Sequence, residues 1–256
     1  MKFFTRRQMR SIHKGMKARQ QRALRLRSSP EEESSRRIPV VQLLSGNLDR
    51  LVVVASLIHP SLKPGLIDRL LALAEQEHLQ ALVVLTKLDL IQDRQEALDY
   101  KRLYSSLGYP CLLTSISTGH GMVELQARLA EGRSALCGHS GVGKSSLLQA
   151  LAPELAPATG EVSLANDKGQ HTTTSVRLFP LPGGGELFDL PGLKLAPLHM
   201  LPTELGRCFP DFAGCLCRYR DCLHQSEPGC GVNEAVGQGL VNAQRYQSYL
   251  RILKSL

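Results

Sequence analysis

The residues best fitted to do chemistry are Gly138-His139-Ser140-Gly141-Val142-Gly143-Lys144-Ser145. Glycines at this spacing let backbone amides close round a phosphate with no side chain in the way, and the helix that follows adds its positive end. Lys144 is then placed to reach the β- and γ-phosphates and Ser145 to hold Mg²⁺, with Ser146 completing the cradle. A second constellation is Thr86-Lys87-Leu88-Asp89. One carboxylate can accept from both the N1–H and the exocyclic amine of guanine, a donor pair that adenine does not offer. Asp89 would read the base while the Lys87 stem lies across its plane. The turn Thr114–Gly121, rich in Ser and Gly, suits backbone amides meeting the guanine oxygen, with Ser115 at its start.

Downstream, Asp189-Leu190-Pro191-Gly192 has the form of a γ-phosphate sensor. Asp189 would bind Mg²⁺ through water and the Gly192 amide would meet the γ-phosphate. One of Thr172, Thr173 and Thr174 would close over Mg²⁺, with Thr173 as the working assignment. Leu193 follows Gly192, where Ras-like enzymes place a water-orienting Gln. The neighbouring His171 therefore either orients the attacking water or shapes the threonine loop.

The last constellation is Cys217-x4-Cys222-x-His224-x5-Cys230. Three thiolates and one imidazole make a closed tetrahedral set for a single structural Zn²⁺. Cys215 is the rival of Cys217, and Cys208 is spare. Cys111 and Cys137 fall on or beside apolar strands and read as core thiols.

The elements that must position these groups are legible in the pattern of apolar residues. Leu51–Ser56 and Ala81–Leu85 read as buried strands of a parallel sheet, with a helix over Pro64–Gln76 between them. Helices follow at 92–107 and 122–130, with a short strand near 110–113. Ala135-Leu136-Cys137 leads into the phosphate cradle and a helix to Leu151. Residues 153–168 read as loop, and strands at 175–179 and 186–188 flank a glycine turn. The fold class is α/β, a mostly parallel sheet with helices on both faces, followed by a small helical zinc module. The divisions expected are a basic, disordered arm at 1–37, a nucleotide-binding domain at 38–200 and the zinc module at 201–256.

At 256 residues, 43% hydrophobic and 21% charged, the chain is ordinary for a soluble protein with a buried core. Its formal charge of +8, concentrated in the arm, points to nucleic acid bound without regard to sequence. The longest apolar run, Leu51–Ile58, is too short to span a bilayer, and the basic N-terminus has no apolar core after it. A cytoplasmic protein with no membrane partner is expected, and with it thiols or metal ligands rather than disulfides.

The base-reading elements precede the phosphate cradle, the reverse of small GTPases, so the core is circularly permuted. In that order the chain resembles the circularly permuted ribosome-assembly GTPases of the RsgA (YjeQ) family, on TKLD at 86–89, GHSGVGKSS at 138–146, GQHTTT at 169–174, DLPG at 189–192 and the Cys/His cluster. The resemblance implies a GTPase of late small-subunit maturation that binds GTP and GDP with Mg²⁺, holds one zinc and contacts rRNA. It also supports a catalytic role for His171. We expect a monomer. The family's five-stranded OB barrel does not fit in the roughly ten residues between arm and first strand, so it is expected to be absent. Thr86 replaces the family's Asn, and Leu190 and Lys194 depart from its D-S-P-G-x-R form. A rival reading is a zinc-containing rRNA-binding module with a degenerate, non-enzymatic core. A third, a P-loop ATPase or small-molecule kinase, is opposed by Asp89.

Overall fold

Leu51 to Ala55 is apolar at every position because both faces of the strand it forms are covered. In the computed structural model, which describes residues 48–153, 161–162, 176–189 and 198–256, β1 (Arg50–Ser56) is flanked by β2 (Gln80–Thr86) and β4 (Arg133–Cys137), both parallel to it. Beyond β2 lies β3 (Cys111–Leu113), and beyond β4 lies β7 (Glu186–Asp189), again parallel. The far edge is antiparallel, with β6 (Val176–Pro180) on β7 and β5 (Glu161–Val162) on β6. Among the described residues the order is therefore β3-β2-β1-β4-β7-β6-β5. β5 corrects the reading of 153–168 as loop. Glu161 pairs opposite Arg177 and Val162 opposite Val176, and two residues carry no periodicity to read.

Alternation along β1 divides the core in two. Leu51, Val53 and Ala55 pack with α1 (Pro64–Gln76) and α2 (Gln95–Ser106), while Val52 and Val54 pack with α3 (Met122–Leu129) and α4 (Lys144–Leu151). Helices thus cover both faces of a mostly parallel sheet, as expected.

α1 begins on Pro64, whose missing N–H costs nothing in a first turn. It is buried well beyond one stripe, at Ile67, Asp68 and every position from Leu70 to Ala74. Its second cover is the C-terminal region, made of 3₁₀ turns at Pro202–Cys208 and Pro210–Phe212, α5 (Gly231–Gly237) and α6 (Ala243–Leu253). Leu205, Phe209, Phe212, Tyr249 and Ile252 of this region share one buried cluster with α1 and β1. α6 starts at Asn242, whose side chain accepts from the amides of Gln244 and Arg245.

Arg245 crosses the contact between α1 and α6. Its side chain is 2% exposed, and it donates from Nη1 to Asp68 Oδ1 at 2.6 Å, from Nη2 to Asp211 Oδ1 at 2.8 Å and from Nε to Asp211 Oδ2 at 3.0 Å. Removing the guanidinium alone would strand both carboxylates in the core, a loss of about 3–5 kcal/mol. No helix among the described residues is long and apolar enough to cross a membrane.

Candidate functional site

β4 delivers the phosphate cradle. The chain leaves Cys137 through Gly138 at φ +155°, where a Cβ would lie 2.1 Å from the Val54 carbonyl oxygen. Only glycine lets the loop hug the end of β1 at that point. Lys144 opens α4, and its ammonium donates to the Gly138 and His139 carbonyls, 2.9 Å each. His139 Nδ1 lies 2.8 Å from the Ser140 carbonyl. Ser145 and Ser146 are exposed in the first turn of α4, next to the loop amides. Asp189 ends β7 opposite Leu136, two residues before the cradle. Burial pushes the Cys137 thiol up to about 12, with Lys144 opposing and Asp189 adding to the shift, so both charges bear on the root of the loop.

The turn at Thr86–Asp89 is bolted to this loop. β2 ends at Thr86, and Lys87 turns the chain in the left-handed region (φ +63°) into a 3₁₀ turn at Leu88–Leu90, which buried Leu88 anchors. That conformation costs a non-glycine residue energy, and two contacts hold it: the Lys87 ammonium donates to the Gly141 carbonyl at 2.9 Å and to the His59 carbonyl. The Thr86 hydroxyl is buried, 2.7 Å from the Val142 carbonyl and 3.3 Å from that of Ala55. A hydroxyl has one proton, and the nearer acceptor takes it. Thr86 therefore braces the cradle from behind. Asp89 beyond it is exposed, and its Oδ1 accepts from Ser115 Oγ at 2.6 Å. Bonds from Ser115 and then Ser117 hold its carboxyl below the ordinary range, so it is an ionised acceptor at neutral pH.

In the C-terminal region, one donor atom each from Cys217, Cys222, His224 and Cys230 lies within 4.8 Å of the others. His224 Nδ1 is 3.4 Å from Cys217 Sγ and 3.5 Å from Cys230 Sγ, and the two sulfurs are 3.9 Å apart. A tetrahedron with metal–sulfur bonds of about 2.3 Å and a metal–nitrogen bond of about 2.0 Å has edges of about 3.8 and 3.5 Å. Donor set and spacing fit zinc, with Cys215 outside the group. The other imidazole nitrogen is walled in, since a Cβ on Gly206 would come 2.9 Å from His224 Nε2.

Neighbouring groups set the zinc loop. The Tyr246 hydroxyl lies 2.7 Å from both the His224 carbonyl and Asn233 Oδ1, and Tyr249 donates to the Leu223 carbonyl at 2.9 Å, tying the loop to α6. Glu227 accepts from the amides of Leu223, Gln225 and Ser226. Burial pushes its carboxyl up, but these bonds outweigh that and leave it below the ordinary range. Burial pushes the Cys222 thiol up to about 12, and Cys230 and Cys217 add to it, so three crowded sulfurs call for a cation.

The structure thus brings Thr86 and Lys87 onto the loop at 138–146, joins Asp89 to Ser115 on the turn beyond them, and sets Asp189 on the strand beside the loop's root. His171, Thr172, Thr173, Thr174 and Gly192 lie outside the described residues, as does the arm at 1–37. Sequence reasoning missed the Asp68–Arg245–Asp211 cluster, the loop-setting Glu227 and Ser117. A signal for Asp68 was present: an acid among Leu66, Ile67, Leu70 and Leu71 on a buried helix must find a cation.

Residues 20–199 match the family model described as RsgA GTPase. The chain is 41% identical over 220 residues to the small ribosomal subunit biogenesis GTPase RsgA of Actinobacillus pleuropneumoniae serotype 5b, covering 84% of this chain and 64% of that protein. It is 40% identical over 218 residues to the protein of that name from Haemophilus influenzae strain KW20, covering 83% of this chain and 63% of that protein. The chain therefore spans under two thirds of the length of these curated relatives. Among solved structures, YjeQ from Thermotoga maritima superposes with a TM-score of 0.71 at 34% identity, covering 82% of this chain and 72% of that one. YloQ, titled a circularly permuted GTPase, gives 0.66 at 31% identity, covering 82% and 68%.

Proposed function

The chain belongs to the RsgA GTPase family, and we propose that it binds GTP and GDP with Mg²⁺, hydrolyses GTP, and acts in maturation of the small ribosomal subunit in contact with its rRNA. The observation that carries the reading is the seating of the base-reading turn on the phosphate cradle, Thr86 on the Val142 carbonyl and Lys87 on that of Gly141. A turn anchored there holds Asp89 at a fixed reach from the cradle amides, as one nucleotide bound across both requires.

In this reading the amides of 138–146 and the Lys144 ammonium take the phosphates. Asp89 accepts from guanine, and the Lys87 stem covers the ring. Ser145, Asp189 and Thr173 offer the hard oxygens that Mg²⁺ prefers. The ion supplies neutralisation of phosphate charge. Leu193 has no group that could orient water, so His171 takes that role. Gly192 senses the γ-phosphate. Cys217, Cys222, His224 and Cys230 hold one structural zinc, which fixes the loop that α6 joins to α1. We take the protein to work as a cytoplasmic monomer, with the basic arm adding salt-sensitive contacts to rRNA.

Titration with a fluorescent GDP, and turnover with and without purified small subunits, test this. Lys144→Ala is expected to abolish nucleotide binding. His171→Ala is expected to keep GDP affinity and lose about a hundredfold of subunit-stimulated turnover. Undiminished GDP binding by Lys144→Ala would remove the cradle from the account, and full stimulated turnover by His171→Ala would remove the histidine.

A further inference from the structure

We propose that Ser117 is a positioning residue for guanine recognition, locking the Asp89 carboxylate that in this chain reads the base without help from the first residue of its turn. The inference rests on the GTP reading above and deepens it. It begins from Thr86, which is 3% exposed and gives its proton to the Val142 carbonyl at 2.7 Å. A hydroxyl so spent has nothing left to donate to a purine nitrogen, so recognition of the base edge falls on Asp89.

Asp89 is exposed, and a terminal carboxylate turns easily about its last bond. To accept from both N1–H and the exocyclic amine, its two oxygens must lie together in the plane of the base. The bond to one of those oxygens, from Ser115 Oγ at 2.6 Å, restrains that rotation only as far as Ser115 is itself held. Ser117 Oγ lies 3.0 Å from Ser115 Oγ. Since the Ser115 proton is committed to the carboxylate at the shorter distance, Ser117 is the donor in this second contact. The Thr118 amide donates to the same Ser115 oxygen at 3.3 Å, which fixes the Ser115 rotamer from a third side. Both hydroxyls hold the Asp89 carboxyl below its ordinary range, Ser115 more strongly than Ser117. Ser117 is itself exposed.

The test compares the full chain with Ser117→Ala and Ser117→Thr, reading affinities for GTP, ITP and ATP by displacement of a fluorescent GDP. ITP lacks the exocyclic amine, so the GTP-over-ITP ratio reports the bond that needs both oxygens in plane. Ser117→Ala is expected to lower that ratio on the order of fivefold, and Ser117→Thr, which keeps the hydroxyl, to restore it. The acid limb of GTP affinity is expected to move to higher pH in Ser117→Ala, because Ser115, the donor to the carboxylate, loses the hydroxyl that holds it in place. If the wild-type chain prefers GTP to ATP while Ser117→Ala keeps its ratio and acid limb, the Ser117 inference is overturned and the GTP reading stands. A wild-type chain with no preference for GTP over ATP overturns both.

Discussion

At Thr86 a single proton sets the division of labour in the base-reading turn. The hydroxyl holds the glycine loop at Val142 and, on the function proposed above, leaves the base to Asp89, to which Ser115 donates. The role proposed for Asp89 was suggested by the tetrapeptide together with the strand before it and the glycine loop after it, because only guanine offers one carboxylate two adjacent donors. The role of Thr86 was not, since nothing in a sequence says which acceptor will stand nearest a hydroxyl. Asp89→Asn is expected to weaken GDP binding a hundredfold or more, on the order of two charge-assisted bonds. The same variant gains affinity for xanthosine diphosphate, whose C2 oxygen accepts from the new amide. Competition of the two diphosphates against a fluorescent nucleotide checks this, and unchanged GDP affinity would place the base elsewhere.

Among the elements, those with a strong period were readable almost to their ends. α1 runs from Pro64 to Gln76 as its apolar spacing and N-terminal proline foretell. β5 was invisible, because two residues paired by backbone at a sheet edge leave no pattern. The Cys/His loop was legible as a cluster but not in its register, since Cys215 and Cys217 stand equally well on spacing. Geometry favours Cys217, whose sulfur lies 3.4 Å from His224 Nδ1. Cys217→Ser is therefore expected to purify with less than a tenth of the wild-type zinc, while Cys215→Ser keeps about one ion per chain. Metal analysis of the two variants decides between them, and the reverse result would reassign the ligand. The supports of the loop, Glu227, Tyr246 and Tyr249, come from three separate stretches that only the fold brings together.

At the scale of the whole molecule, the described residues of the Cys/His region and of the sheet share one core, crossed by the Asp68–Arg245–Asp211 cluster. Two carboxylates face one guanidinium there. Burial raises the Asp68 carboxyl to about 6 against the pull of Arg245, with Asp211 adding to the rise. A carboxyl whose folded value is raised gives its stability below the unfolded value near 4 and loses it as pH rises through the folded one. Relative to Asp68→Asn, the wild-type chain is therefore expected to lose about 1–2 kcal/mol between pH 5 and pH 7, read by urea unfolding at both. Parallel curves would contradict the buried charge. A region joined to α1 in this way is expected to travel with the sheet, and on the function proposed above nucleotide state would reach the small subunit through the face the two parts present together. The direct test is co-sedimentation of the full chain with purified small subunits. The account predicts binding with a non-hydrolysable GTP analogue and release with GDP. Equal binding in both nucleotides, or none in either, would contradict it.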